Sequence, residues 1–234
     1  MYIGGEWVST PDRQIVELPY DGAEVATVFR AATAEVERAV AAARAAAPVM
    51  REMSRDERAA ILRRACDKML AARDEFALAV SNECGKPIRE ARTEVDRAAQ
   101  TLLFASEEAH RLQGEVVPMD AAPAGKGRWG MTVREPLGVI AAITPFNFPL
   151  NLSTHKIGPA IAAGNTIVHK PASATPLSAL LLARIFAECG LPAGALNVVT
   201  GPGGLIGDML VTHKDVAMVT FTGSAEVGER IRRM

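Results

Sequence analysis

The sequence predicts an α/β fold: a Rossmann-like order of parallel strands with helices on both faces of the sheet, preceded by a helical segment and a strand arm. Three observations carry that prediction. From Val139 onward, short apolar runs alternate with helical stretches: VIAAIT (139–144), NTIVHK (165–170), ALNVVT (195–200) and VAMVTF (216–221), separated by helical segments at about 151–163, 176–189 and 204–212. Strands at such intervals with helices between them form βαβ units, whose sheet is parallel and covered on both faces. From Ala34 to about Leu112 apolar residues recur instead at helical spacing. Between these regions lies an irregular stretch, 114–134, that ends in strand-like GRWGMTVRE.

Taken in order, residues 1–30 carry the strand-like runs MYIGGEWV and AEVATVF, with Pro19, Asp21 and Gly22 as turn residues between them. AEVERAVAAARAAA is alanine-rich and helix-favouring, and RDERAAILRRACDKMLAARDEFALAV repeats apolar residues at helical spacing. After the turn at Gly85–Lys86–Pro87, IREARTEVDRAAQTLLFASEEAHRL is a further helix whose charges gather mostly on one side, as on a solvated face. AAPAGKG is expected to be a loop or hairpin end, and GRWGMTVRE a strand that leaves the domain toward another subunit. Pro159 should kink or shift the helix that contains it. The organisation expected is therefore a helical part at 1–113, an arm at 114–136 and a strand–helix core at 137–234. The sequence ends at Met234 within a helical pattern, so the sheet is expected to be incomplete there.

Composition narrows the function classes. The 234 residues carry a formal net charge of -1 and 23% charged residues, a soluble composition that gives no footprint for nucleic acid or an anionic membrane. No signal peptide is expected from MYIGGEWVSTPD, and the charge-poor stretch from Pro136 to His155 is broken by three prolines and two asparagines, which fits buried core rather than a membrane span. Cys66, Cys84 and Cys189 are widely spaced, with no CxxC pair; this fits neither a disulfide framework nor a metal site and suits the reducing cytoplasm.

Ligands of open parallel sheets sit beyond the carboxyl ends of the strands, and the unexplained polar residues fall there. Thr222, Gly223 and Ser224 open a helix whose free N–H groups and dipole would attract phosphate, although an ordinary serine cap has the same signature. The run GPGGLIG misses GxGxxG because Ile206 occupies the last glycine position, and GxxxxGK[ST] fails because Glu229 follows Gly228. Lys170 ends the second strand, where it could hold ribose hydroxyls or phosphate, or be a surface lysine. His169, pointing to the other sheet face, and His155 fit structural roles. Asn147 stands between Phe146 and Phe148; its amide donates hydrogen bonds at any pH, as an oxyanion hole requires, but a turn-forming asparagine fits the spacing too.

Together these residues resemble the aldehyde dehydrogenase superfamily, specifically its amino-terminal, cofactor-binding half. The resemblance runs through IGGEWV, CGKPIREARTEV, REPLGVIAAITPFNFPLN, KIGPAIAAGNTIVHKPAS, ATPLSALLLA, ECGLPAGALNVVTG and VTFTGSAEVG. TPFNFPLNLSTHKIGPAIAAGN looks most like lactaldehyde and non-phosphorylating glyceraldehyde-3-phosphate dehydrogenases; Phe148, where phosphonoacetaldehyde dehydrogenases tend to carry histidine, speaks against a phosphonate substrate. The resemblance implies NAD(P)-dependent oxidation of a small aldehyde to its acid, by a homo-oligomer (dimer or tetramer) when complete; a truncated, non-catalytic nucleotide-binding or assembly fragment is the alternative. It places the oxyanion amide on Asn147, the adenosine-ribose lysine on Lys170, the pyrophosphate serine on Ser224 after Thr222 and Gly223, and the adenine-side glycines on Gly203 and Gly207. Backbone of Ile143, Thr144, Pro145 and Phe146 would line the nicotinamide side, and GRWGMTVRE would be the arm that pairs subunits. NAD-dependent relatives commonly carry glutamate where this sequence has Ser173. A carboxylate there would repel the 2′-phosphate of NADP by about 4 kcal/mol at ~4 Å and an effective dielectric of ~20, so Ser173 permits NADP alongside NAD. The nucleophilic cysteine and general-base glutamate that the resemblance implies are expected beyond the position matching Met234, with Cys66, Cys84 and Cys189 structural, so the chain alone is expected to be inactive.

Overall fold

The computed structural model describes all residues from Met1 to Met234. The chain runs β1 (Tyr2–Ile3), β2 (Glu6–Trp7), β3 (Arg13–Glu17), β4 (Glu24–Phe29), α1 (Thr33–Glu52), α2 (Arg55–Ala71), α3 (Arg73–Cys84), α4 (Ile88–Arg111), β5 (Val116–Val117), β6 (Gly130–Met131), β7 (Val139–Ile143), α5 (Pro149–Ala162), β8 (Thr166–Lys170), α6 (Leu177–Glu188), β9 (Leu196–Val198), α7 (Asp208–Thr212), β10 (Val216–Phe221) and α8 (Ala225–Arg233). The four expected strands of the core all form, and α5 runs on through Pro159.

The central sheet has the order β10-β7-β8-β9-β1-β2. Its first four strands are parallel, as the βαβ rhythm predicts. Two expectations need correction, in the arm and in the helix before it. The amino-terminal run MYIGGEWV, strand-like in sequence, forms β1 and β2, which extend this same sheet: β1 runs antiparallel to β9 and β2 antiparallel to β1. A hairpin that turns at Gly4 and Gly5, both at positive φ, can add to an edge that a parallel crossover of a dozen residues could not reach. The segment GRWGMTVRE contributes only Gly130–Met131 as strand, paired with Val116–Val117. The helix at Ile88–Arg111 does not carry only solvated charge, because Glu94 is 1% exposed. The hairpin partner RQIVE (β3) was also hidden, since its alternation is short and mostly polar.

Alternation along the strands divides the core. Ile140, Ala142 and Ile167 face a large apolar cluster under α2 to α6, while Val139, Ala141 and Val168 face a smaller one under α1 and α7. Two buried glutamates then tie the helical part to the strand–helix core. Glu83 Oε2 accepts from Leu177 N at 2.5 Å, and Glu83 Oε1 from Ser178 N at 3.2 Å and Ser178 Oγ at 2.5 Å, capping α6. Glu94 Oε1 accepts from Leu150 N at 3.0 Å and Asn151 N at 3.1 Å, capping α5. Each carboxylate meets the unpaired N–H groups and positive dipole end of a helix, so the helical part fixes where α5 and α6 begin.

His169 on β8 is wholly buried; its Nδ1–H donates to Ala142 O (3.1 Å), since a carbonyl can only accept, which leaves Nε2 an acceptor 2.9 Å from Ser153 Oγ, whose one hydrogen is shared between Nε2 and Pro149 O at 2.6 Å. Burial foremost holds its pKa down, from 6.5 to about 4, assisted by Lys170 and Lys156. The unfolded chain therefore binds more protons than the native one between those values. The stability due to neutral His169 is fully present above pH 6.5 and is lost as pH falls toward 4, roughly 3 kcal/mol in all. Glu83, pushed by burial up to about 7, has the opposite slope as pH rises through its own window. The test is therefore a difference: urea unfolding of wild type and His169→Asn across pH 4 to 7 should show the stability gap shrinking toward low pH. A gap constant with pH would mean that His169 already titrates normally in the fold.

Candidate functional site

The carboxyl ends of the parallel strands converge on a cavity of about 200 Å³ lined by Ile143 from β7, Lys170 from β8, Gly203, Gly204 and Gly207, and Phe221 from β10, with Val227 and Arg230 of α8 closing one side. Ile143, Lys170, Gly203 and Gly207, widely separated in sequence, are thus brought to one place. Lys170 is only 4% exposed, which sets aside the surface-lysine reading. Its Nζ donates to Pro171 O at 2.9 Å, and burial holds its pKa down to about 8. Two of its three donors have no protein partner and remain for a ligand. A Cβ on Gly203 or Gly207 would stand 4.0 or 3.9 Å from the Lys170 side chain, so the two glycines keep the space beside it open.

Gly207 ends a π-helical turn, Gly203–Gly207, that feeds directly into α7, which explains why the run matches no dinucleotide fingerprint: its backbone path differs from the strand–turn–helix for which GxGxxG is written. Ser224 caps α8, its Oγ accepting from Val227 N at 3.3 Å, so its hydroxyl hydrogen is still free to be donated. Gly223 has a reason the sequence did not reveal, because a side chain there would run into the Phe221 ring. Thr222 is turned away toward α5: its Oγ1 accepts from Lys156 Nζ at 2.9 Å, and its N–H donates to Ile143 O. Lys156, its own pKa lowered by burial, also reaches Thr220 Oγ1, a cross-link with no sequence signal beyond a lysine in an apolar helix. Arg230 pairs with Asp208 beside the cavity, a second cation that sequence reasoning missed.

Thr144 is buried, its Oγ1 without a partner, and its N–H donates to Lys170 O. Pro145 and Phe146 follow in the loop toward α5, with Phe146 63% exposed. Asn147 lies exposed in this loop, apart from the cavity. Its main-chain oxygen accepts from Lys86 Nζ at 2.9 Å, and Lys86 Nζ also bonds Glu94 Oε2 at 2.5 Å and stands 4.2 Å from the Phe148 ring centroid. The Asn147 side-chain amide bonds nothing, whereas an asparagine shaping its own turn would bond backbone two residues on. The loop is therefore fixed through its main chain and leaves the amide on display. Ser173 is not part of the cavity lining; its Oγ donates to Gly201 O at 2.8 Å, and its own carbonyl accepts from Gln14 Nε2 at 2.6 Å. The β3–β4 hairpin thereby braces the Ser173 loop.

Known proteins share this sequence pattern and this fold. The model of the aldehyde dehydrogenase family matches residues 7–234. The chain belongs to the aldehyde dehydrogenase family. It is 47% identical over 232 residues to the 3-sulfolactaldehyde dehydrogenase of Priestia megaterium, an alignment covering 99% of this chain and 48% of that protein. The crystal structure of NADP-dependent glyceraldehyde-3-phosphate dehydrogenase from Bacillus halodurans complexed with NADP superposes with a TM-score of 0.96 at 36% identity, over 99% of this chain and 49% of that one. A betaine aldehyde dehydrogenase from Staphylococcus aureus in complex with NAD+ gives 0.94 at 31% identity, over 99% of this chain and 47% of that one. This aldehyde dehydrogenase chain thus spans about half the length of the relatives it matches. No helix is long and apolar enough to cross a membrane.

Proposed function

We propose that this chain is the cofactor-binding half of an NAD(P)-dependent aldehyde dehydrogenase that oxidises a small anionic aldehyde to its acid. The observation that carries the proposal is the single cavity joining Lys170, Gly203 and Gly207 at the strand ends. A buried ammonium with donors to spare beside two glycines fits the hydroxyls and phosphates of a dinucleotide. When bound, the nicotinamide supplies a hydride acceptor. The residues of this chain hold and orient it: Lys170 at the adenosine ribose, Ser224 and the first N–H groups of α8 at the pyrophosphate, and the backbone from Ile143 to Phe146 at the nicotinamide side. Asn147 would donate to the oxygen on which negative charge develops. The anionic aldehyde is supported by two relatives whose names specify 3-sulfolactaldehyde and glyceraldehyde 3-phosphate, both short aldehydes carrying an anionic group. The division into 1–113, 114–136 and 137–234 is supported by the β5–β6 hairpin, which displays Val116, Trp129 (92% exposed) and Met131 and fits an arm seated on a second copy in a homo-oligomer. A cytoplasmic setting is supported by the three free thiols.

Burial foremost raises the pKa of Cys66, Cys84 and Cys189, so none is a ready thiolate. That favours, for these 234 residues by themselves, cofactor binding without aldehyde turnover, and keeps the non-catalytic fragment as the second reading. Fluorescence titration with NADPH and NADH tests the cavity. Lys170→Ala should weaken both cofactors, and NADPH more, because the ammonium can pair with the additional phosphate. Ser173→Glu should disfavour NADPH relative to NADH by ~1–3 kcal/mol, about one to two decades in relative Kd. Wild-type affinities indistinguishable from those of Lys170→Ala would sink the proposed cofactor site; an unchanged NADPH/NADH ratio in Ser173→Glu would remove Ser173 from it.

A further inference from the structure

At the opposite ends of the same strands lies a larger cavity, about 690 Å³, roofed by the turn between α1 and α2 and by the chain returning from the arm. Leu137 and Asn165, which immediately precede β7 and β8, form part of its floor. Roughly 13 Å of strand separates it from the cofactor cavity. Four guanidinium groups line it, Arg51, Arg55, Arg58 and Arg134, against one carboxylate, Glu135. Glu135 pairs with Arg51 at 3.3 Å, and Arg51 also reaches Pro136 O at 3.5 Å. Arg134 Nε donates to Gln113 O at 3.1 Å, which leaves its outer nitrogens free, and Arg55 makes no ion pair.

Arg58 is the decisive residue. It is 7% exposed, its side chain makes no hydrogen bond or ion pair with the protein, and its Nε is completely enclosed without a partner. Buried guanidinium groups are ordinarily paired, because the loss of hydration is costly. Gly164, at a φ of 78°, leaves the room that the guanidinium occupies; a side chain there would press on Arg58 Nη1. Asn165 supplies a second unused donor. Its Oδ1 accepts from Leu137 N at 2.7 Å and Gly138 N at 3.0 Å, which fixes the amide orientation and leaves its NH2 without a protein partner. The amino end of α2 adds nothing to this case, because Ser54 and Glu57 already cap it reciprocally.

We infer that this cavity is a second anion site, distinct from the cofactor site, which takes the phosphate group of a small metabolite between Arg58, Asn165 and the rim arginines Arg55 and Arg134. A guanidinium pairs phosphate through two parallel N–H donors, and an amide NH2 beside it supplies a third. The cavity volume leaves space for an organic group beyond the phosphate. Because Arg134 and Glu135 belong to the returning arm and Arg51 to α1, an occupant would join the arm to the body of the chain.

Isothermal titration calorimetry at constant ionic strength tests this, with inorganic phosphate and glycerol 3-phosphate as probes and chloride as the control salt. Saturable binding of either phosphate probe is expected, weakened roughly tenfold or more in Arg58→Met. Tighter binding of glycerol 3-phosphate than of inorganic phosphate would identify a phosphomonoester site; the reverse would identify a site for the free ion. Arg58 is buried, so the exposed double variant Arg55→Gln/Arg134→Gln provides a second reading, expected to weaken phosphate while leaving NADPH binding unchanged. Lys170→Ala should do the opposite, which separates failure of this site from failure of the cofactor site. Absence of saturable binding, binding unaffected by the double variant, or displacement of phosphate by NADPH would each overturn the inference.

Discussion

In the complete enzyme proposed above, replacing Asn147 by alanine is expected to lower kcat by roughly 10²–10³-fold, equivalent to ~2.7–4 kcal/mol of transition-state stabilisation. The expectation rests on how the residue is held. Its main-chain oxygen is bound by Lys86, and its side-chain amide has no partner in the protein. An amide fixed through its backbone and left unsatisfied can meet developing negative charge without first breaking another bond, and it remains a donor at every pH. NADPH affinity should change little, because Asn147 lies outside the cavity that holds Lys170, Gly203 and Gly207. The measurement is kcat and KM for variant and wild type with glyceraldehyde 3-phosphate, alongside the cofactor Kd. A kcat within threefold of wild type would reduce Asn147 to a loop residue; a matching loss of cofactor affinity would instead point to collapse of the loop.

Glu94→Ala should be the most destabilising single change in the helical part, costing ~3–5 kcal/mol. The carboxylate is buried and carries three duties: it accepts from Leu150 N and Asn151 N at the start of α5 and from Lys86 Nζ. Alanine would leave two buried N–H groups uncapped and the 15% exposed Lys86 ammonium without its counter-charge. The same ammonium bonds Asn147 O, so the loop should loosen as well. Urea unfolding of wild type, Glu94→Gln and Glu94→Ala measures the first effect, with glutamine expected between the two because it keeps an acceptor but not the charge. Hydrogen exchange at Leu150 and Asn151 measures the second. A loss below ~1 kcal/mol for Glu94→Ala, the worth of an exposed pair, would show that solvent replaces the carboxylate at no great cost.

The strand–helix core was legible because its signals are local. VIAAIT, NTIVHK, ALNVVT and VAMVTF are short, largely apolar runs, the first three buried through the sheet and the last lying partly exposed at its edge, and the turns between them bear the expected breakers. Lys170 could be singled out because parallel strands deliver their carboxyl ends to one edge, whereas Gly203 and Gly207 came only from the family resemblance, since their run matches no glycine fingerprint. The amino-terminal strands Tyr2–Ile3 and Glu6–Trp7 were visible as strands but not as members of this sheet. The pairing of β1 with β9 joins Tyr2 to Val198, and no local pattern encodes a partner so distant. RQIVE escaped for a related reason: a short strand takes its identity from the hairpin partner more than from its own residues.

The sequence by itself determined the parallel core, the helical part before it, the family and the residues gathered at the strand ends, since each follows from periodicity or from a motif that is contiguous along the chain. Only the tertiary structure decided the state of the charged side chains. Glu94 and Arg58 are spaced on their helices like any solvated residue, yet one is buried as a helix cap and the other is buried without a partner. Whether a charge is solvated depends on which distant backbone packs over it, α5 in the first case and the arm and the Gly164 turn in the second. That information resides in contacts between segments and not in the composition of either.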